Sequence, residues 1–286
     1  MGGDAKARKG RAPRKNTTPS ILVKICLWLY ALIAVFPLLL MFSNSFRSTK
    51  ELVTDPLGLP TSPTVEGYVS AWTEASFATY FVNSILVTVG SVFLSTAVSV
   101  LASYALARWT FFGKHLMENV FLAGLMIPAI LAMLPIFYLM DDLRLIDSHW
   151  SLIAIYAANG IPFGVFIMTT FFRQLPLELE EAARIDGAGT MAVFFRVMLP
   201  LVKPAVATVV VFRFIPIWND FLFPLILLRS PGKYTLPVGL TRFFGEFSTD
   251  WSSLFAGLVI TTAPLILVYV LATKQIVRGL TAGIGK

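Results

Sequence analysis

From Phe81 to Ala107 the chain reads FVNSILVTVGSVFLSTAVSVLASYALA, and no charged residue interrupts it. A helix rises about 1.5 Å per residue, so a run of this length crosses the ~30 Å hydrocarbon core of a bilayer. A strand buried in a soluble core is far shorter. Ser84, Thr88, Ser91, Ser95, Ser99 and Ser103 recur within the run at steps of three or four, which lays a stripe of small polar side chains along one helix face. Small residues let helix backbones approach and their hydroxyls bond across the contact, so the stripe reads as a packing seam.

The rest of the chain repeats the pattern. Of its 286 residues 56% are apolar and 14% charged, with mean hydropathy +0.75, a balance that a soluble core of ordinary size cannot bury. Further apolar runs near Ile21 to Phe42, Leu116 to Met140, Ser151 to Phe172, Pro204 to Leu228 and Leu254 to Ala272 predict an all-α membrane protein with six spans. The first run follows a basic stretch, yet from Ile25 to Phe42 it is longer than the apolar part of a secretory signal. Ser43-Asn44-Ser45 is also a poor cleavage site. The run is therefore read as an uncleaved helix behind a disordered basic tail, with 1–19 as tail and 20–286 as one transmembrane domain. Cys26, the lone cysteine, permits no disulfide within the chain.

Six spans put both termini on one side, and loops rich in Lys and Arg stay in the cytoplasm. With the N-terminus inside, only Arg47, Lys50, Arg144, Arg229, Lys233 and Arg242 of the 23 basic residues fall in outer loops, and Arg213 falls within a span. Both termini are thus expected in the cytoplasm. Membrane orientation and anionic lipid account for the net charge of +7, so no nucleic-acid partner is expected.

Between the fourth and fifth runs, on the expected cytoplasmic side, lies the loop 173–203. It holds Leu175-Pro176-Leu177-Glu178-Leu179-Glu180-Glu181-Ala182-Ala183-Arg184-Ile185-Asp186-Gly187-Ala188-Gly189 and then Thr190 to Pro200. Two short helices with a break are predicted. Pro176 suits a first turn, and Glu178, Glu180 and Glu181 suit the positive end of a helix dipole. Gly187 and Gly189 stop the first helix, Thr190 caps the second, and Leu199-Pro200 turns the chain back. Ala182 and Ala183 keep the first helix narrow, as a close socket on a partner protein requires.

Glu181-Ala182-Ala183, Gly187 four residues after Ala183, and Val197-Met198-Leu199-Pro200 together resemble the EAA loop of ABC importer permeases, with Val197 where the family usually has Ile. The resemblance implies that Glu181, Ala182, Ala183, Asp186, Gly187, Leu199 and Pro200 fit a cleft of a separate ATPase dimer, which alone binds ATP and Mg. Tyr80-Phe81-Val82-Asn83-Ser84, Trp218-Asn219-Asp220-Phe221 and Tyr234-Thr235-Leu236-Pro237-Val238-Gly239-Leu240 resemble the carbohydrate branch, on the side of the maltose importer's smaller permease. In that branch a tail like Gly279, Thr281 and Gly283 reaches toward the ATPase. An outer loop like Tyr234, Thr235 and Gly239 meets an extracytoplasmic solute-binding protein. The expected function is a permease subunit, not an enzyme, of a sugar or oligosaccharide importer in a bacterial or archaeal cell (inner) membrane, working with a second permease.

Inside the spans, charged groups are costly and normally face protein or water. Arg213 and Asp220, seven apart, are expected on one face of the fifth span, and with Asn83, Asn159 and Asn219 they are candidates for a polar path or gate. Asn159-Gly160-Ile161-Pro162 and Thr261-Thr262-Ala263-Pro264 read as helix interruptions or as proline kinks. The outer loop from Arg229 to Ser253 is long enough to protrude.

No G-x-x-x-x-G-K-[ST] phosphate loop, H-E-x-x-H pair or G-x-S-x-G turn occurs, so no catalytic or metal residue is assigned. Two other readings stay open. An ion-gradient-driven secondary transporter needs a titratable acid in a broken helix, for which only Asp220 qualifies. An intramembrane enzyme is the weaker one.

Overall fold

The computed structural model describes residues 21–73, 76–244 and 249–282, with 273–282 by backbone alone. The basic tail 1–19 lies outside them. The chain divides into two compact units, Met1–Met41 and Phe42–Lys286. The first contributes most of α1 (Ile21–Asn44), which carries Pro37 and is apolar around its circumference, as a helix surrounded by lipid is.

The second unit holds the short α2 (Thr49–Thr54) and α3 (Glu66–Thr73), followed by α4 (Phe77–Arg108), α5 (Lys114–Met126), α6 (Met133–Asp142) and α7 (His149–Gln174). After these come α8 (Glu178–Ile185), α9 (Thr190–Val193), a π turn over Phe194–Met198, α10 (Leu199–Leu201) and α11 (Lys203–Asn219). The unit closes with α12 (Leu222–Leu227), α13 (Leu236–Gly239) and α14 (Trp251–Ala282). The described residues form no strand, only an isolated bridge between Phe244 and Thr249.

Four helices, α1, α4, α7 and α14, are long and apolar enough to cross a membrane. Two bent pairs raise the number to six when each is one span: α5 with Ala129–Asp142, bent by 91°, and Thr190–Leu201 with α11, bent by 71°. The third span, expected near Leu116 to Met140, is thus broken. Ile127 is extended and Pro128 cannot donate an amide hydrogen bond, so the helix ends there.

The predicted interruptions in the fourth and sixth spans do not occur, because α7 runs through Pro162 and α14 through Pro264. Neighbouring helices bond the backbone beside both prolines: Ser99 Oγ donates to Ile161 O at 3.2 Å and Trp218 Nε1 to Thr261 O at 2.9 Å. Proline in a span is tolerated where neighbours supply such bonds.

The most extensive packed pair is α4 with α7. Its seam is the predicted stripe, with Ser91, Ser95, Ser99 and Ser103 buried and Ser103 Oγ donating to Val165 O at 3.3 Å. On α7, Gly160 and Gly164 face Ser95 and Ser99 so closely that an added Cβ would collide with them. At the far end of α4 and α7 a core of Tyr104, Met168, Phe172, Val193, Phe194 and Met198 seats the segment after α8.

Candidate functional site

The segment after α7 folds as a helix, a glycine stop and a second helix. Gly187 has φ +84, its N–H donates to Arg184 O at 3.0 Å, and Ala188 N–H reaches Ala183 O at 3.0 Å. This pair of bonds is the Schellman stop, which favours glycine at the left-handed position. Thr190 is not a cap: Gly189 precedes α9 and no side chain caps it. Pro200 has no amide to offer Arg196 O, and Leu199 N–H closes a wider turn onto Phe194 O, which accounts for the π turn.

Most of α8 faces outward. Glu181, Ala182, Asp186, Gly187 and Pro200 are exposed, Ile185 is 85% and Met191 70% exposed. A Cβ at Gly187 or Gly189 would meet nothing within 4 Å. Ala183 and Leu199 are half-buried against the core of α4 and α7. Glu180, which the sequence offered only as a dipole partner, is the one buried residue of α8. Its Oε1 lies 2.6 Å from Arg108 Nε without hydrogen-bond alignment, so the contact is charge pairing. Its Oε2 accepts from Tyr104 OH at 3.0 Å.

A cavity of about 630 Å³ lies between the α5–α6 break, α7 and α11, with Ile127, Ala129, Tyr156, Asn159, Arg213 and Asp220 in its wall. Asp220 is not on the helix face shared with Arg213: it caps α11 with extended backbone, φ −70 and ψ 129. The two charges meet Tyr156 rather than each other. Tyr156 OH donates to Asp220 Oδ2 at 2.5 Å, while Arg213 Nη2 donates to Tyr156 O at 3.1 Å and reaches Asn159 Oδ1 at 3.5 Å. Arg213 Nε is buried without a partner. Tyr156 was missed in the sequence, though it sits three residues before Asn159 and therefore on the same helix face.

Asn83 and Asn219 do not line this cavity. Asn83 Nδ2 donates to Gly232 O at 3.0 Å and Tyr234 O at 2.9 Å, and the exposed Asn219 bonds its own helix at Ile215 O. The outer loop does not protrude at Tyr234, Thr235 and Gly239. Thr235 and Gly239 are buried, Tyr234 is half-buried, and Ser84 Oγ accepts Leu236 N–H at 2.8 Å, because α13 packs into the core beside Phe77, Tyr80 and Trp218.

Asp147 ties this loop down, accepting from Ser230 Oγ at 2.6 Å, from Ser230 and Arg229 N–H at 2.9 Å and from Lys233 Nζ at 2.9 Å. These bonds, those of Ser230 foremost, hold its carboxyl well below the usual carboxylate range. His149 meets Lys233 O at 2.8 Å, and His115 leans on Glu118 at 3.6 Å. Gly279 and Thr281 fall in the last turns of α14, whose side chains from 273 onward lie outside the described residues, as does Gly283.

Residues 98–282, which include α7, α8, the cavity helices and α14, match the family of binding-protein-dependent transport system inner membrane components. The chain belongs to that family. Among its relatives this inner membrane component is 37% identical over 257 residues to the diacetylchitobiose uptake system permease protein NgcG of Streptomyces coelicolor, covering 89% of this chain and 85% of that one. It is 36% identical over 276 residues to the arabinooligosaccharides transport system permease protein AraQ of Halalkalibacterium halodurans, covering 94% and 98%. Its fold is similar, at TM-score 0.80 and 28% identity over 89% of this chain and 95% of the other, to a chain of a bacterial ABC transporter involved in the import of the acidic polysaccharide alginate.

Proposed function

We propose that this chain is a permease subunit of an ATP-driven importer whose cargo is a sugar or oligosaccharide. The cargo class is supported by relatives named for diacetylchitobiose and arabinooligosaccharides and by the alginate importer's similar fold. A second homologous permease completes the path, a separate ATPase dimer binds ATP and Mg on the cytoplasmic side, and an extracytoplasmic binding protein delivers the sugar. Both termini are cytoplasmic, and the membrane is the inner cell membrane of a bacterium or archaeon.

The observation that carries the reading is the exposed tip from Glu181 to Met191. It is a helix ended by a glycine at φ +84, with open space around Gly187 and Gly189, and it shows Ile185 and Met191 to the outside. Apolar side chains around a narrow glycine turn suit a socket on another protein. That partner is the ATPase, whose closure pushes on α8. The tail at Gly279, Thr281 and Gly283 lies against the same ATPase.

The cavity walled by Asn159, Arg213 and Asp220 is the cargo path, because it opens at a broken helix, where transporters place substrates. Asn83 holds the outer loop in shape. Docking of the binding protein passes from Tyr234, Thr235 and Gly239 to their exposed neighbours Gly232, Arg242 and Phe244.

Mild extraction of the tagged chain from its native membrane is expected to bring a second permease and an ATPase with it, and their absence overturns the reading. Gly187 supplies a finer test. Asn tolerates left-handed backbone, whereas Val does not, and neither meets an obstacle within this chain. If a socket surrounds the turn, Gly187→Asn loses uptake along with Gly187→Val; if backbone conformation alone matters, Gly187→Asn transports normally and the socket is refuted.

A further inference from the structure

We infer that Arg108 is the joint through which the coupling segment moves the membrane helices, with Glu180 and Tyr104 as positioning residues; this rests on reading the α8 tip as the ATPase contact. Arg108 is the last residue of α4. Its Nε faces Glu180 in the first turn of α8, and its Nη2 donates at 2.8 Å to Leu175 O, the residue that caps α7. One guanidinium therefore touches the ends of three helices. Tyr104, one turn back on α4, bonds the same carboxylate and packs its ring on Phe172 of α7 and Phe194 of the π turn, with centroids 5.5 and 5.0 Å away.

Electrostatics favours this arrangement at both ends. Glu180 sits at the positive end of the α8 dipole and Arg108 at the negative end of the α4 dipole, so each charge complements its own helix as well as its partner. The side chains are only 6% and 8% exposed, and a buried pair is tolerated when further hydrogen bonds support it, as Leu175 O does at Arg108 Nη2 and Tyr104 OH at Glu180 Oε2.

The mechanical argument follows from burial. Glu180 is the only buried residue of α8, so beside the half-buried Ala183 its carboxylate is the contact through which a push on that helix reaches the spans. Arg108 receives it at the joined ends of α4 and α7, which pack along their length and move as one body. Tyr156 and Asn159 ride on α7, while Arg213 and Asp220 belong to α11 and its cap. Displacing α7 therefore strains the bonds of Tyr156 to Arg213 and Asp220, which is where the stroke would open the path.

The test is saccharide uptake per ATP hydrolysed, measured on the whole complex in proteoliposomes. Glu180→Gln keeps the size and the acceptor for Tyr104 but loses the charge, and uptake per ATP is expected to fall roughly tenfold. Tyr104→Phe keeps the ring packing and is expected to fall about threefold. If Glu180 acts through Arg108, the pair Glu180→Gln and Arg108→Gln falls no further than the worse single variant. Uptake per ATP that stays unchanged, as when uptake and hydrolysis decline in proportion, or losses that add, overturns the joint; Tyr104→Phe, which strands no charge, decides the matter if a charge-removing variant does not assemble. A wild-type complex that shows no ATP-driven uptake of any saccharide removes instead the reading on which the joint rests.

Discussion

Arg108 and Arg213 both belong to apolar helices, and their charges meet different surroundings. Arg108 pairs with a carboxylate on another element and caps a third helix. Among the described residues Arg213 has only neutral oxygens, Tyr156 O and Asn159 Oδ1, and a buried Nε with no partner. The first is closed on itself and belongs to the framework. The second is left open at the wall of a cavity, as a group is when its counterpart comes from outside the chain. Charge in an apolar helix thus carries no single meaning; the partner decides it.

The largest effect should come from opening the closed site. Arg108→Leu strands Glu180 as an uncompensated buried charge and uncaps α7, at a cost of about 3–5 kcal/mol, seen as a collapse of thermal stability and recovery in detergent; a variant that melts like wild type breaks the comparison. Next comes Gly160→Ala. Its Cβ would lie 2.8 Å from Arg213 Nε and 2.9 Å from Ser95 Cβ, an overpacking worth roughly 1–3 kcal/mol, read as a lower melting temperature.

Asp147→Asn removes a charge pair that water reaches, with side chains 22% and 45% exposed, which itself contributes about 0–1 kcal/mol, and it also disturbs the bond from Ser230 Oγ. Its sign with pH is defined: a carboxyl held below its unfolded value stabilises the fold above the ordinary carboxylate range, and this is lost only as pH falls through the depressed value. Hydrogen exchange at Arg229 and Ser230 should stay slow down through pH 4; amides that open above that pH contradict the clamp. Arg213→Leu should change thermal stability far less than Arg108→Leu, because no carboxylate is orphaned, while saccharide uptake falls. A collapse comparable to Arg108→Leu would mean that a partner subunit supplies the missing counter-charge.

Prolines show where legibility ended. Pro128, Pro162 and Pro264 look alike in a hydropathy reading, yet only the first breaks its helix. Around Pro162 the helix is packed into the seam with α4, and Trp218 donates to Thr261 O in the turn before Pro264, whereas α5 buries no residue at all and has no such support. The glycine stop at Gly187 was legible because it is local: its bonds join residues a turn apart. Glu180 was legible as an acid near a helix start, while its burial was not, since its partners lie on α4. The burial of Thr235 and Gly239 within the outer loop was illegible for the same reason, because Asn83, Ser84 and Tyr80 that draw this stretch in belong to a distant helix.

Composition and spacing alone determined that this chain is helical and membrane-embedded, that α4 has a packing face of small residues, and that a glycine turn interrupts the segment before α11. Those properties depend on lipid solvation and on hydrogen bonds between near neighbours, which any stretch of sequence carries with it. Only the tertiary structure decided which proline breaks, which arginine is closed by an acid and which stands open, and that Tyr156 holds both charges of the cavity. Each of these depends on what a remote helix brings within hydrogen-bonding distance, and that distance is a property of packing.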